Sequence, residues 1–305
     1  MLNKREFVTG TVAAALAAGA AAAQTTAKIS YGPQKPNIQH GMVKTTKLFK
    51  APPGFVNALA VAPEGLWLGQ QKLSGKAAAS YHLPEPTDLR EAAWLVDWNG
   101  KLLKTVMTNS RNTSGMAFGD GCVWMMANQD PEGVFQVDMN SKEISHRQIP
   151  LALPGQDGGG SHGAQWHNGK LWIVANRIKG ILRVDPNTWT PEFMIPITTA
   201  RWHGIAWDDS HPGGAIWMVT GSSDINRYVM QNGKLHHTTT CGLMKYDART
   251  GELLETAEFL EGTADPHGLA MHNGKLISCD AGVGPPGFEG TGSPNAGYIF
   301  EINFV

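Results

Sequence analysis

The chain has 305 residues, with 25 Lys and Arg against 26 Asp and Glu, so its formal net charge is −1. This length allows one large β domain or two ordinary domains, and the balanced charge excludes the basic surface that nucleic-acid binding requires. The 36 glycines, the 10 tryptophans and a charged fraction of 17% favour a turn-rich all-β protein over a helical one.

The first residues predict an export signal. The segment Asn3-Lys4-Arg5-Glu6-Phe7 precedes an alanine-rich apolar run, and Ala21-Ala22-Ala23 forms a small-residue cleavage site. The Lys-Arg pair resembles a twin-arginine signal, and a general secretory signal is the alternative. We therefore expect an export signal in 1–23, an N-terminal extension in 24–42 and the folded domain in 43–305. A periplasmic or secreted protein without a membrane span is expected, because no later apolar run reaches about 18 residues.

Five segments repeat one pattern, in which a polar residue is followed by an apolar strand, a turn and a second strand. Their leading residues are separated by 57, 48, 41 and 64 positions, which is typical of propeller blades with insertions. The leading residues are Asn57, Ser114, His162, His203 and His267. A third strand follows each repeat, and in four repeats an aspartate at its end is placed to cap the next turn. These are Asp97, Asp138, Asp185 and Asp247.

The repeats predict an all-β fold, a single β-propeller with five blades. The last repeat stops after its third strand in 298–303, whereas 43–50 is a strand without a blade. Closing the ring with this N-terminal strand removes an exposed sheet edge. A six-bladed ring is the alternative, because 221–240 is long enough to contain further strands. Four tryptophans that share one strand position are expected to pack between blades: Trp67, Trp124, Trp172 and Trp217.

Three of the leading residues are histidines. The first strand of a propeller blade lines the central channel, so His162, His203 and His267 are expected to form an arc around one channel mouth, which Asn57 and Ser114 complete. Three imidazoles can hold a metal ion with an open position, or they can transfer protons as acid and base. The remaining interpretation is that polar residues simply suit a wet channel mouth.

Other residues are predicted to line the same mouth. Asp280 ends a second strand and is expected to orient a histidine. Arg177 and Arg201 can bind a carboxylate through paired hydrogen bonds. The remaining candidate substrate-binding residues are Trp202, Asn57, Asn176, Tyr81 and His82.

The pattern P-x-G-(I/L)-A followed by (D/N)-G-x-(L/I)-W resembles the blade motif of the streptogramin B lyase-like propellers and, more loosely, that of gluconolactonase-type and NHL propellers. The resemblance covers nearly all of the mature chain. In the lyases, histidines at first-strand starts and an acidic residue ending a second strand open a cyclic ester by elimination, with a divalent ion such as magnesium. The resemblance implies this role for His203, His267 and Asp280, whereas His162 and the five-repeat count depart from the pattern.

Together these observations predict an exported propeller enzyme that cleaves a C–O bond of a small organic substrate, as a lyase or as a lactone or ester hydrolase. The expected catalytic residues are His267, His203 and Asp280, and the expected metal ligands are His162, His203 and His267. The metal would be Mg, Zn, Ca or Fe, and no nucleotide cofactor is expected. The alternatives are a propeller that binds a ligand or protein without catalysis, and an iron or copper oxidoreductase that uses the same histidines.

Overall fold

The described part of the chain is almost entirely β-structure. The structure, a computed structural model, describes residues 28–29, 38–52, 54–80, 84–151, 161–197, 202–221, 227–231, 234–238, 241–260, 263, 265–280 and 294–305. Among these residues, no helix has the length and apolar character needed to cross a bilayer. The predicted export signal, residues 1–23, lies outside the described residues.

The strands follow the repeats seen in the sequence. Two strands come before the repeats, β1 (Lys28–Ile29) and β2 (Gln39–Lys50). Blade one contains β3 (Phe55–Ala62), β4 (Gly65–Gln71), the short helix α1 (Gly75–Ser80), β5 (Glu91–Val96) and β6 (Leu102–Thr108). Blade two contains β7 (Thr113–Gly119), β8 (Cys122–Ala127), β9 (Gly133–Asp138) and β10 (Glu143–Arg147).

The remaining strands continue this arrangement. Blade three contains β11 (Ser161–His167), β12 (Lys170–Ala175), β13 (Gly180–Asp185) and β14 (Thr190–Pro196). Blade four contains β15 (Trp202–Asp208), β16 (Ala215–Thr220), the hairpin β17 (Arg227–Gln231) and β18 (Lys234–Thr238), then β19 (Gly242–Asp247) and β20 (Leu253–Phe259). Blade five contains β21 (Pro266–His272), β22 (Lys275–Asp280) and β23 (Tyr298–Phe304).

Within each blade the strands pair antiparallel in chain order, except that in blade four β16 pairs with β19 and the hairpin β17–β18 forms a separate sheet. Strand β2 lies antiparallel to β23 as the outer strand of blade five, and its first residues also lie parallel to β20 of blade four. Strand β1 lies parallel to β14 at the outer edge of blade three. Parts of the predicted extension 24–42 therefore belong to the sheets. In the segment 221–240 that suggested a sixth blade, the described residues form the two-stranded sheet β17–β18.

The first strands form the centre of the molecule. They contact one another in the cyclic order β3, β7, β11, β15, β21 and back to β3. Hydrophobic clusters fill the spaces between neighbouring blades, and each of the four predicted tryptophans is buried in a different cluster, as the sequence predicted. The fifth cluster joins blade five to blade one around Leu59 and Ile277. The all-β, propeller-like fold is thus confirmed.

The third strands end as the sequence predicted. In each of four blades, the aspartate after the third strand accepts two main-chain N–H hydrogen bonds through Oδ1. Each turn is therefore closed by its own side-chain acceptor, which satisfies N–H groups that a tight turn leaves without a strand partner.

The leading residues lie at an irregularity that recurs in every blade. The register between the first and second strands shifts at or beside the leading residue, between Val56 and Ala58 in blade one and between Trp202 and Ile205 in blade four. The same shift occurs in the other three blades. A β-bulge re-aims a side chain and leaves its backbone without a regular ladder partner. The repeated bulge explains why the leading side chains turn toward the channel mouth instead of standing between the blades.

A glycine follows the leading residue in blades two to five. Backbone atoms of the first strand of the next blade lie within 3 Å of the position that a Cβ atom on each glycine would occupy. A Cβ on Gly163 would overlap the carbonyl oxygen of His203, and one on Gly204 would overlap the carbonyl oxygen of His267. Gly268 approaches Leu59 of blade one in the same manner. These glycines are required by close approach of backbone to backbone.

Replacing Gly204 by alanine should lower the free energy of unfolding by at least about 3 kcal/mol, because the new methyl group would overlap the main chain of Leu269. Urea denaturation measures the effect. Gly41→Ala is the matched control, since its Cβ would meet side-chain atoms only, the ring of Phe304 at 3.3 Å and Cβ of Ala257 at 3.8 Å. Equal stability of the two variants would contradict this account of the ring.

Candidate functional site

The three leading histidines lie side by side at one mouth of the channel. The ring centroids of His162 and His203 are 4.8 Å apart and nearly parallel, at 7°, and those of His203 and His267 are 3.7 Å apart. His203 is 2% exposed and His267 is 7% exposed, whereas His162 is half-buried. The structure therefore brings together the three imidazoles that the sequence placed on one arc.

His162 connects blade three to blade four. Its Nδ1 lies 2.7 Å from the carbonyl oxygen of Trp202 and 2.9 Å from Nδ1 of His203, and its Nε2 lies 3.0 Å from Nδ2 of Asn128. A carbonyl oxygen only accepts, so Nδ1 of His162 carries the proton and Nε2 accepts from the Asn128 amide. Both nitrogens of His162 are thus engaged in holding the neighbouring blade and the neighbouring ring.

Asn57 makes the equivalent bond between blades one and two. Its Nδ2 donates to the carbonyl oxygen of Thr113, 3.1 Å away, just as His162 donates to the residue before His203. Its Oδ1 is buried and has no hydrogen-bond partner among the described residues. Asn57 and His162 therefore each make the same kind of hydrogen bond to the next blade. The sequence did not predict this structural role.

His203 and His267 instead face a carboxylate, that of Asp265. Nε2 of His203 lies 3.8 Å from Oδ1 of Asp265, and Nδ1 of His267 lies 3.7 Å from Oδ2. One potential ligand atom from each of these three residues lies within 4.8 Å of the others. Two imidazoles and one carboxylate at this spacing form a group that can hold a metal ion.

The orientation of His267 suits metal binding. Its Nδ1 lies 2.9 Å from the main-chain oxygen of Asp265, so Nδ1 donates and Nε2 keeps the lone pair of the neutral ring. Histidines that ligate metals almost always donate their other ring N–H to a carbonyl or carboxylate, because this fixes the tautomer and the ring orientation. His267 has this arrangement.

Asp280 acts on the loop that carries Asp265. It is buried, and its Oδ2 accepts hydrogen bonds from Oγ1 of Thr263 at 2.5 Å and from the main-chain N–H of Asp265 at 3.4 Å. The sequence predicted Asp280 as the acidic partner of the histidines. The structure places the carboxylate of Asp265 within 4 Å of both rings, and it places Asp280 against the same loop through Thr263 and the main chain of Asp265.

Gly221 forms a wall of the site. A Cβ atom on this residue would lie 2.6 Å from Nε2 of His203 and would overlap Oδ1 of Asp265. The absent side chain leaves room between the two groups. Neither Asp265 nor Gly221 was singled out in the sequence. The signal for Asp265 was its place in Asp265-Pro266-His267, where a carboxylate precedes a leading histidine by two positions.

The other predicted site residues are less closely grouped. The Arg177 side chain is 46% exposed, and its Nη2 lies 4.0 Å from Oε1 of Glu132. The Trp202 side chain is buried in the cluster between blades three and four, although its carbonyl oxygen holds His162. The Oδ1 atom of Asn176 is buried without a hydrogen-bond partner in the described chain. Arg201, Tyr81 and His82 lie outside the described residues.

Comparisons with known proteins support the fold. No protein-family model and no curated protein sequence matches the chain. Among solved structures, the glutaminyl cyclase of Myxococcus xanthus is similar, with a TM-score of 0.52 and 9% identity over 87% of this chain and 98% of the other.

Two further structures have a TM-score of 0.46. A protein of unknown function from Bacteroides caccae is 11% identical over 75% of this chain and 72% of its own. The hydrazine synthase of Kuenenia stuttgartiensis is 9% identical over 75% of this chain and 56% of its own. The cyclase likeness supports a propeller-type β fold. It does not single out the streptogramin B lyase-like or gluconolactonase-like families.

Replacing Thr263 by valine should lower the free energy of unfolding by about 2 kcal/mol, because the buried Asp280 carboxylate loses a hydroxyl donor. Chemical denaturation measures the loss. Thr188→Val is the control, since it removes an exposed hydroxyl bond to Thr190 and should change stability little. A Thr263→Val loss no larger than that of the control would mean that Asp280 does not depend on this donor.

Proposed function

We propose that the protein is an exported, metal-dependent enzyme that cleaves a C–O bond in a small organic substrate, as a lyase or as a lactone or ester hydrolase. The observation that carries the proposal is the convergence of His203, Asp265 and His267 at the channel mouth. Two nearly buried imidazoles beside one carboxylate form the kind of converging polar cluster from which active sites are built.

The donor set favours a transition-metal ion such as zinc or iron(II) over magnesium or calcium. Imidazole nitrogen suits zinc, copper, iron and nickel, whereas magnesium and calcium prefer oxygen donors. Metal–ligand bonds of about 2.0–2.2 Å place neighbouring donors roughly 3–4 Å apart. Oδ1 of Asp265 lies 3.8 Å from Nε2 of His203, and one potential ligand atom from each of the three residues lies within 4.8 Å of the others. The residues therefore fit an ion after small side-chain adjustments. Three protein ligands leave positions open for water or substrate.

A bound ion would polarise a carbonyl group or lower the pKa of a bound water. The chain supplies the rest of the site. His162 lies against the His203 ring, with the two Nδ1 atoms 2.9 Å apart, and Asp280 holds the loop of Asp265. Gly221 leaves space beside both donors. The guanidinium of Arg177, whose side chain is 46% exposed, is the proposed anchor for a substrate carboxylate. With His203 and His267 as metal ligands, proton transfer to the leaving oxygen is assigned to His162.

A second candidate function rests on the same donor set. Two histidines and one carboxylate with open positions also form the ligand set of non-haem iron(II) oxygenases. An oxidoreductase would consume oxygen when loaded with iron(II), and the zinc-loaded protein would be inactive. A hydrolase or lyase would instead be active with zinc and indifferent to oxygen.

Metal binding is the first test. The purified, metal-stripped mature protein should bind one Zn²⁺ or Co²⁺ per chain in a calorimetric titration. His203→Ala, Asp265→Ala and His267→Ala should each weaken binding by at least about 100-fold, because each removes a ligand. His162→Ala should weaken it by about 10-fold, because it removes only the support of a ligand.

One control for this titration lies away from the site, and one further variant tests the space within it. His272→Ala changes a turn histidine that stacks on Trp98, with centroids 3.7 Å apart, and should bind as the wild type does. Gly221→Ala should lose binding while keeping the fold, because its methyl would enter the space beside Asp265. Unchanged affinity in the His203, Asp265 and His267 variants would remove the metal site and favour a non-catalytic binding protein.

Turnover is the second test. The zinc-loaded protein should act on at least one member of a panel of lactones, cyclic esters and aryl esters followed by mass spectrometry. Hydrolysis adds one water to the product, whereas elimination from a cyclic ester leaves the mass unchanged, so the two reactions are distinguished directly. His267→Ala should abolish turnover with the fold intact. Full activity of this variant would rule out the assigned role.

A further inference from the structure

Glu91 is a fully buried carboxyl group outside the site described above. It begins the third strand of blade one, and none of its surface is exposed. Its Oε1 accepts from the main-chain N–H of Lys72 at 2.6 Å, and its Oε2 accepts from the main-chain N–H of Thr113 at 2.8 Å. Each oxygen therefore holds a different element of the fold.

The first of these elements is the insertion 72–90 between β4 and β5. Lys72 opens the insertion, and its Nζ donates to the carbonyl oxygens of Asp88 and Arg90 near the far end, at 3.0 and 2.7 Å. Lys72 and Glu91 together close the base of the insertion. The second element is Thr113, the first residue of blade two, whose carbonyl oxygen accepts from Asn57 at the channel mouth.

The charged groups of these elements are engaged with other partners. Asp88 and Arg90 pair with each other at 2.9 Å, and Nη1 of Arg111 donates to the carbonyl oxygen of Leu89. The Lys72 ammonium binds carbonyl oxygens, and Glu85 accepts from the main-chain N–H of Gly75. Glu91 is thus held by N–H and hydroxyl groups, with none of these charged side chains bonded to its carboxyl group.

Burial without a counter-charge disfavours the ionised carboxylate. Burial raises the pKa of Glu91 to about 7, although the hydrogen bonds from Thr113 and Lys72 act in the opposite direction. The hydroxyl of Thr113 also bonds this carboxyl group, and Oγ of Ser110 lies 2.6 Å from that hydroxyl. A protonated Glu91 therefore has an acceptor within the same network.

We propose that Glu91 is a pH-dependent clamp, which holds the base of the insertion 72–90 closed while it is protonated and releases it when it ionises. Opening the base exposes the carboxyl group to water, where its charged form is stable. The open state is therefore favoured as pH rises from the usual pKa of glutamate toward the raised value in the closed state. Above that value both states are ionised, and the preference stops growing.

Release of the insertion by ionised Glu91 would also loosen the contact between Thr113 and Asn57 at the channel mouth. Thr113 is bonded through its N–H to Glu91 and through its carbonyl oxygen to Asn57, so loss of the first bond frees the peptide that positions the second. The clamp thus links the pH of the compartment to the order of the mouth. It depends on blades one and two alone, so it stands whether or not the metal site has the function proposed above.

Hydrogen–deuterium exchange of the full chain tests the clamp. The protection factors of peptides covering 72–91, corrected for intrinsic exchange, should fall by up to about 10-fold per pH unit between pH 5 and pH 7 and level off above pH 7. Glu91→Gln should abolish this dependence. Glu85→Gln is the matched control, because it neutralises a carboxylate of the same insertion whose bond to Gly75 is exposed, and it should keep the dependence.

The outcomes separate clearly. A fall in protection in the wild type and Glu85→Gln, but not in Glu91→Gln, supports the clamp. Protection that is flat with pH in the wild type, or that falls equally in Glu91→Gln, overturns it. If Glu91→Gln does not fold, the regions of the wild type are compared instead. A fall in protection factors confined to 72–91 and 108–113, with those of 180–196 in blade three unchanged, supports the clamp. A fall in protection factors throughout the chain refutes it.

Discussion

The close approach of the five first strands around the channel is the constraint on which the rest of the structure depends. The first strands of blades two to five each present a glycine where the first strand of the next blade passes. A larger residue would push the strands apart and widen the channel. Because the strands are held this closely, leading side chains that would otherwise be separated by a wide pore become direct neighbours. The contact between the histidine rings is a consequence of these glycines.

The same constraint divides the leading residues into two kinds. Asn57 and His162 use a side-chain N–H to bind the carbonyl oxygen that precedes the next leading residue, and so they hold blades together. The His267 ring instead donates to the carbonyl oxygen of Asp265 in the loop before its own strand, and the rings of His203 and His267 both face the carboxylate of Asp265. The candidate metal-binding group therefore includes a histidine that departs from the interblade pattern. Its side chains are held by the first strands on one side and by the loop before β21 on the other.

Much of the architecture could be predicted from the sequence because it repeats. The period of the repeats, the tryptophans between blades and the aspartates that cap the turns each recur with one local cause, and the structure bears them out. The arc of His162, His203 and His267 followed from the same logic. Which carboxylate meets the arc could not be predicted, because Asp265 and Asp280 both reach this face and only the path of the loop distinguishes them. Glu91 was missed because its burial depends on an insertion and a neighbouring blade, neither of which the repeat describes.

Strand β2 has a consequence for how the molecule is made. It pairs with β20 on one side and with β23 on the other, and the hydrogen bond from Asn295 to Thr45 spans 250 positions of the chain. During synthesis β2 is made long before its partner strands β20 and β23, so it stays unpaired until they are made. Contacts between residues so distant in sequence also form slowly. The nascent chain thus carries an unpaired, partly apolar strand until translation is nearly complete. A chaperone or an export factor that shields 39–50 during this interval would protect the polypeptide when it is most prone to aggregate.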